Sequence, residues 1–97
     1  MRGKPLRLRI ADFEWDESNE DKIWDLHRVT RDEVESIFYD GDPIVRKARE
    51  NKYYAFGQTD DGRYLFIVFV WRPNRVIRVI TARDMDDSER FGYRRSK

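Results

Sequence analysis

Tyr64-Leu65-Phe66-Ile67-Val68-Phe69-Val70-Trp71 is apolar along its whole length, with Asp61-Gly62 before it and Pro73-Asn74 after it. A short unbroken apolar run between turn signals predicts a central strand covered on both faces for much of its length. It is also the longest apolar run in the chain and far shorter than a bilayer span. Asp-Gly favours a two-residue hairpin, so the run should pair back onto residues 53–59. Pro73-Asn74 makes a second tight turn into a strand over residues 75–83. Residues 44–49, just past Pro43, complete the series. Strands joined by tight turns run antiparallel.

Upstream of this meander the apolar period becomes helical. Thr30 and Glu33 are spaced as a capping box, Val29 and Val34 sit at the staple positions around it, and Val34, Ile37 and Phe38 form one buried stripe over residues 30–39. Asp40-Gly41-Asp42-Pro43 ends that helix. An earlier helix over residues 16–27 takes Asp16 or Ser18 as its cap and acids in its first turn, and places Ile23, Trp24 and His27 on one face. Downstream, Asp86 and Glu89 repeat the capping pattern and open a last helix through about Arg95. Near the start, Leu8, Ile10 and Phe13 alternate with polar residues, so a strand can begin there, after an arm formed by residues 1–10.

The expected fold is therefore α+β, in the order β-α-α-β-β-β-β-α. It has a four- to five-stranded, mainly antiparallel sheet with helices packed on one face. Ninety-seven residues suffice for one domain, residues 1–97, and not for two. The absence of cysteine excludes disulfides and thiolate metal sites and fits a reducing cytoplasm. No apolar h-region follows the basic N-terminus, so no secretory signal is expected. The net charge of +1 conceals an asymmetry: residues 12–42 carry twelve acids and three bases, residues 43–83 nine bases and three acids. That split predicts a positive face for an anionic partner or, equally, acidic helices neutralising basic strands.

Several elements in order resemble the BrnT family of bacterial toxins. They are Phe13-Glu14-Trp15-Asp16, then His27-Arg28-Val29 and an acidic second helix. Gly57-Gln58-Thr59 and Gly62-Arg63-Tyr64-Leu65 follow. Arg78-Val79-Ile80-Thr81-Ala82-Arg83 closes the series, with Glu89-Arg90 and Tyr93 downstream. The resemblance covers residues 13–95. It implies a RelE-like fold and metal-independent RNA cleavage without a cofactor. It also implies inhibition by a small, DNA-binding cognate antitoxin, in a homodimer or a toxin–antitoxin heterotetramer in the cytoplasm. Many members have Lys-His-Gly where this chain has Leu26-His27-Arg28, and a lysine where it has Asn19. Those differences support an alternative, a BrnT-like module that binds protein or nucleic acid without cleaving.

Metal-independent cleavage of RNA needs a base for the 2′-hydroxyl, an acid for the leaving oxygen and cations for the charge on phosphorus. With one histidine in the chain, a two-imidazole mechanism is impossible. His27 is the acid/base candidate, or else an imidazole packed at a helix end. Arg78 and Arg83 are candidate phosphate and transition-state cations, and Tyr93 is a candidate supporting group or half-buried anchor. Strict alternation puts Arg78 with Val76 and Ile80 on one face, and Arg83 with Ile77, Val79 and Thr81 on the other. Arg46, Lys47, Lys52, Arg63 and Arg90 are candidate RNA contacts. Tyr53, Tyr54, Phe56 and Tyr64 lie among these cations in a composition that suits single-stranded RNA and equally an ordinary amphipathic strand pair. Phe13, Trp15, Trp24 and Trp71 read as core or partner-contact residues.

Overall fold

The computed structural model of the protein describes residues 9–96. Of the expected N-terminal arm only Arg9 and Ile10 fall among them, and Leu8 lies outside the described residues. The elements are β1 (Asp12–Glu14), a π-type turn (Glu17–Asp21) running into α1 (Lys22–His27), α2 (Arg31–Asp40), β2 (Ile44–Lys47), β3 (Lys52–Gln58), β4 (Tyr64–Arg72), β5 (Val76–Asp84) and α3 (Asp87–Ser96). This is the expected α+β order. The sheet runs β1-β5-β4-β3-β2, antiparallel except for β1, which lies parallel to β5.

Local chemistry accounts for the helices. The Thr30 hydroxyl accepts from the Glu33 N–H at 3.1 Å, and the Glu33 carboxylate accepts from the Thr30 N–H at 2.9 Å, a complete capping box. Asp86 and Glu89 satisfy each other in the same way before α3, at 2.9 and 2.8 Å. The turn into α1 is held by Asn19, whose buried side-chain amide donates to the carbonyls of Glu14 and Val79, both at 3.0 Å, and accepts from the Asp16 N–H at 2.8 Å. One amide thus joins β1, β5 and the turn into α1.

β4 pairs with β3 on one side and β5 on the other, and its alternate residues supply two cores. Leu65, Ile67 and Phe69 face α1 and α2, with Ala55, Ile77, Val79 and Ala82 beside them and Ile23, Val34 and Ile37 above. Phe66 and Val68 face the other way, toward Met85 and Tyr93. The expectation that the helices share one face therefore holds for α1 and α2. α3 lies on the opposite face, because the chain turns beneath the sheet at Met85 instead of returning over it. Phe13 is core, Trp15 and Trp71 pack against that core half-buried, and Trp24 is exposed beneath the Arg28 guanidinium.

A second correction concerns β5. The register slips between Val68 and Phe69: Val68 opposes Thr81, while Phe69 opposes Val79. Ile80 is the extra, bulged residue, and it reverses the alternation. Arg78, opposite Val70, and Arg83, opposite Phe66, consequently share the α3 face instead of occupying opposite faces.

Candidate functional site

Arg63 follows the Asp61-Gly62 turn, where Gly62 takes φ +89°, at the end of the sheet formed by the β3–β4 hairpin. Its guanidinium donates to Asp84 Oδ1 at 2.7 Å and Oδ2 at 3.2 Å, to Glu33 Oε1 at 3.2 Å, and to the carbonyls of His27 at 2.9 Å and Arg28 at 2.7 Å. Those carbonyls are the open end of α1, where Arg28 turns left-handed at φ 54°. One cation thus closes a helix, ties it to α2 and pins the end of β5. The Arg63 hydrogen bond holds the Asp84 carboxyl below the usual carboxylate range against the opposing effect of burial, and the charges of His27 and Arg90 act in the same direction. Asp84 thus binds Arg63 directly and lies within electrostatic reach of the His27 imidazole and the Arg90 guanidinium.

Arg83 forms the next part of the surface. It donates to Glu89 Oε1 at 2.8 Å and Oε2 at 3.0 Å in a bidentate pair, reaches the Asp84 carbonyl at 3.0 Å, and stacks over the Phe66 ring at 4.4 Å. That pairing raises the Arg83 guanidinium and lowers the Glu89 carboxyl. Arg90 lies over the Tyr64 ring at 5.2 Å, and Tyr64 meets Tyr93 edge-on at 5.9 Å. Tyr93 is buried, and burial first, then Tyr64 and Asp42, pushes its hydroxyl above the usual phenol range, so it stays protonated at neutral pH. A groove of about 240 Å³ runs between α3 and the β2–β3 edge, lined among others by Ile44, Arg46, Phe56, Glu89 and Tyr93. Among the described residues no three His, Asp or Glu side chains form a metal-binding group.

Comparison with known families gives a match over residues 15–89 to "Ribonuclease toxin, BrnT, of type II toxin-antitoxin system". The chain belongs to the BrnT family. The fold agrees with the crystal structure of the Brucella abortus ribonuclease toxin BrnT. That comparison has a TM-score of 0.65 and 15% identity, and covers 78% of this chain and 97% of that one. A comparison with curated proteins finds no match. The BrnT match contains His27, Arg63, Arg83 and Asp84, while Arg90 and Tyr93 lie just beyond it. A type II toxin–antitoxin family implies a cognate antitoxin as partner. Among the described residues no helix is long and apolar enough to cross a membrane.

In this BrnT-family chain, His27, Arg63, Arg83, Arg90 and Tyr93 lie toward the hairpin end of the sheet, and Arg46 lies farther along β2, opposite Tyr54 and in the groove lining. Arg78, Lys47 and Lys52 lie elsewhere. Arg78 sits toward the far end of β5, donating to Glu14 at 3.1 Å, to both oxygens of Asp16 at 3.0 and 3.2 Å, and to Ser18 at 2.7 Å. Those bonds hold the Asp16 carboxyl far below its usual range. Lys47 and Lys52 flank the β2–β3 hairpin, with Lys52 3.4 Å from Glu50. Sequence reasoning missed Asp84. It stands beside Arg83 and just before the α3 cap, and nothing local marks it as the partner of Arg63.

Proposed function

We propose that this BrnT-family chain is a metal-independent endoribonuclease acting at the hairpin end of the sheet. His27 takes the 2′-hydroxyl proton while the 2′-oxygen attacks phosphorus and the 5′-oxygen of the next nucleotide departs, taking up a proton. Arg83 and Arg90 stabilise the charge on the phosphoryl oxygens. Tyr93 holds α3 in place and keeps a protonated hydroxyl at the groove. Arg63 and Asp84 position His27. Arg78 belongs to the β1–β5 junction and has no part in this scheme. The reading rests on Asp84, bonded to Arg63 and within electrostatic reach of His27 and Arg90, in a chain of a ribonuclease-toxin family.

Incubating the purified protein with labelled RNA and excess chelator tests it. Cleavage is expected to persist in the chelator and to fall by roughly 10²-fold or more in His27→Ala. Full activity in that variant, or dependence on added metal, would falsify the scheme. A second reading, binding without cleavage, is favoured by one observation: Arg63, Arg78 and Arg83 are each already matched to carboxylates. RNA retained intact by the wild-type chain supports that reading. In either case the cognate antitoxin would cover this cationic end in a cytoplasmic complex. Its loss of grip on an Arg90→Glu variant is the expected signature.

A further inference from the structure

α3 covers only the hairpin end of its face of the sheet. Beyond it, Tyr54, Val70 and Thr81 share the same face on β3, β4 and β5 outside the cluster on which α3 packs, and Tyr54 is 38% exposed. Tyr54 is set edge-on to Phe66 with 5.0 Å between centroids, which fixes the ring in the middle of the face. Arg46 directly opposes it on β2, Lys52 is on the same face of its own strand, and Arg83 lies over the adjoining Phe66. Among the described residues Arg46 makes no ion pair. The carboxylates that the sheet itself presents on this face, Asp12 and Glu14, are confined to its far edge on β1.

We infer that this uncovered half-face is a platform for single-stranded RNA, on which a base stacks against Tyr54 while Arg46 holds the adjoining phosphate. The inference rests on the RNA-directed reading above and extends it to the substrate's strandedness. On this face Arg46 and Lys52 lie along the β2–β3 side and the acids of the sheet lie only along β1, so the β2–β3 side complements a polyanion. An aromatic ring flanked by guanidiniums takes any unpaired base by stacking, whereas a duplex keeps its bases in its own stack. The platform is continuous with the proposed cleavage end through Phe66 and Arg83, so a strand lying on it would enter that site.

Binding is measured by fluorescence anisotropy with a labelled 2′-O-methyl oligouridylate, which cannot be cleaved, and with a duplex of the same backbone as control. Tyr54→Phe should keep wild-type affinity for the single strand. Tyr54→Leu and Tyr54→Ala should lose roughly tenfold, with duplex affinity unchanged. Leu retains apolar area without a π face, so a Leu variant as tight as Phe overturns the platform. No single-strand affinity in the wild type also overturns it, as does an effect of Tyr54→Ala on antitoxin capture alone. The ribonuclease reading fails separately. If RNA binds through Tyr54 and stays intact, the platform stands without the enzyme. If cleavage proceeds with unchanged KM in Tyr54→Ala, the enzyme stands without the platform.

Discussion

Arg63 spends its guanidinium on the fold. Removing it takes the guanidinium donor from two helix-end carbonyls and from Asp84, and leaves the Glu33 carboxylate only its bonds to Thr30. Arg63→Ala should therefore cost about 2–3 kcal/mol, read as a lower urea midpoint, and Arg63→Lys should recover only part because a single ammonium cannot span the fork. A midpoint unmoved by the alanine change would refute that role. The carboxylates define a pH window. Asp84 and Glu89 have folded pKa values below their unfolded ones, so the unfolded chain takes up protons first. The stability they contribute is complete above about pH 5 and is lost as pH falls through about 4 and below. Thermal melts from pH 7 to pH 3 should show a falling Tm below that point, less steeply in Glu89→Gln. These carboxylates also show where sequence reading stops. The pairs Thr30–Glu33 and Asp86–Glu89 were legible because partners three residues apart must meet at a helix start. Arg63 with Glu33 and Arg78 with Glu14 were not, since 30 and 64 residues separate them and only the folded sheet brings them together.

At the scale of elements, the apolar run of β4 and its two turns carried most of the architecture, because a strand buried on both faces needs neighbours and layers on each side. The side of the sheet taken by α3 and the faces of the β5 arginines were not legible. A bulge is one residue of slippage, and no local signal in Thr81 or Ile80 announces it. The β2–β3 turn was equally silent, although Glu50 and Asn51 both take left-handed φ, 59° and 62°. Close packing between elements leads to a further prediction. A Cβ added to Gly57 on β3 would stand 2.5 Å from Ile37 Cγ2 of α2. Gly57→Ala should force α2 away from the sheet and cost about 1–3 kcal/mol by urea denaturation. Because α3 lies on the other face, the chemistry at Arg83 and Glu89 should survive at temperatures where the variant remains folded. A stability equal to wild type would mean that α2 sits more loosely on β3 than this contact requires.

The charge asymmetry of the whole molecule is only partly resolved internally. The acidic segment reaches across to Arg63, Arg72 and Arg78, most of its other carboxylates stay with α1 and α2, and Asp12 lies on the α3 face only at the β1 edge, away from Arg46 on β2. The molecule thus presents an acidic helical side and a cationic sheet side, and an RNA strand should meet the second. Counterion release gives this a measurable form. Each phosphate neutralised on a single strand contributes about −0.7 to the slope of log affinity against log salt. Two or three contacts among Arg46, Lys52 and Arg90 predict a slope of roughly −1.4 to −2.1. Arg46→Ala should flatten it by about 0.7, the share of one phosphate. Tyr54→Ala should lower affinity at every salt concentration and leave the slope unchanged, since stacking releases no counterion. A flat salt dependence in the wild type would mean that internal carboxylates already satisfy these cations, and the sheet face would then have no electrostatic claim on RNA.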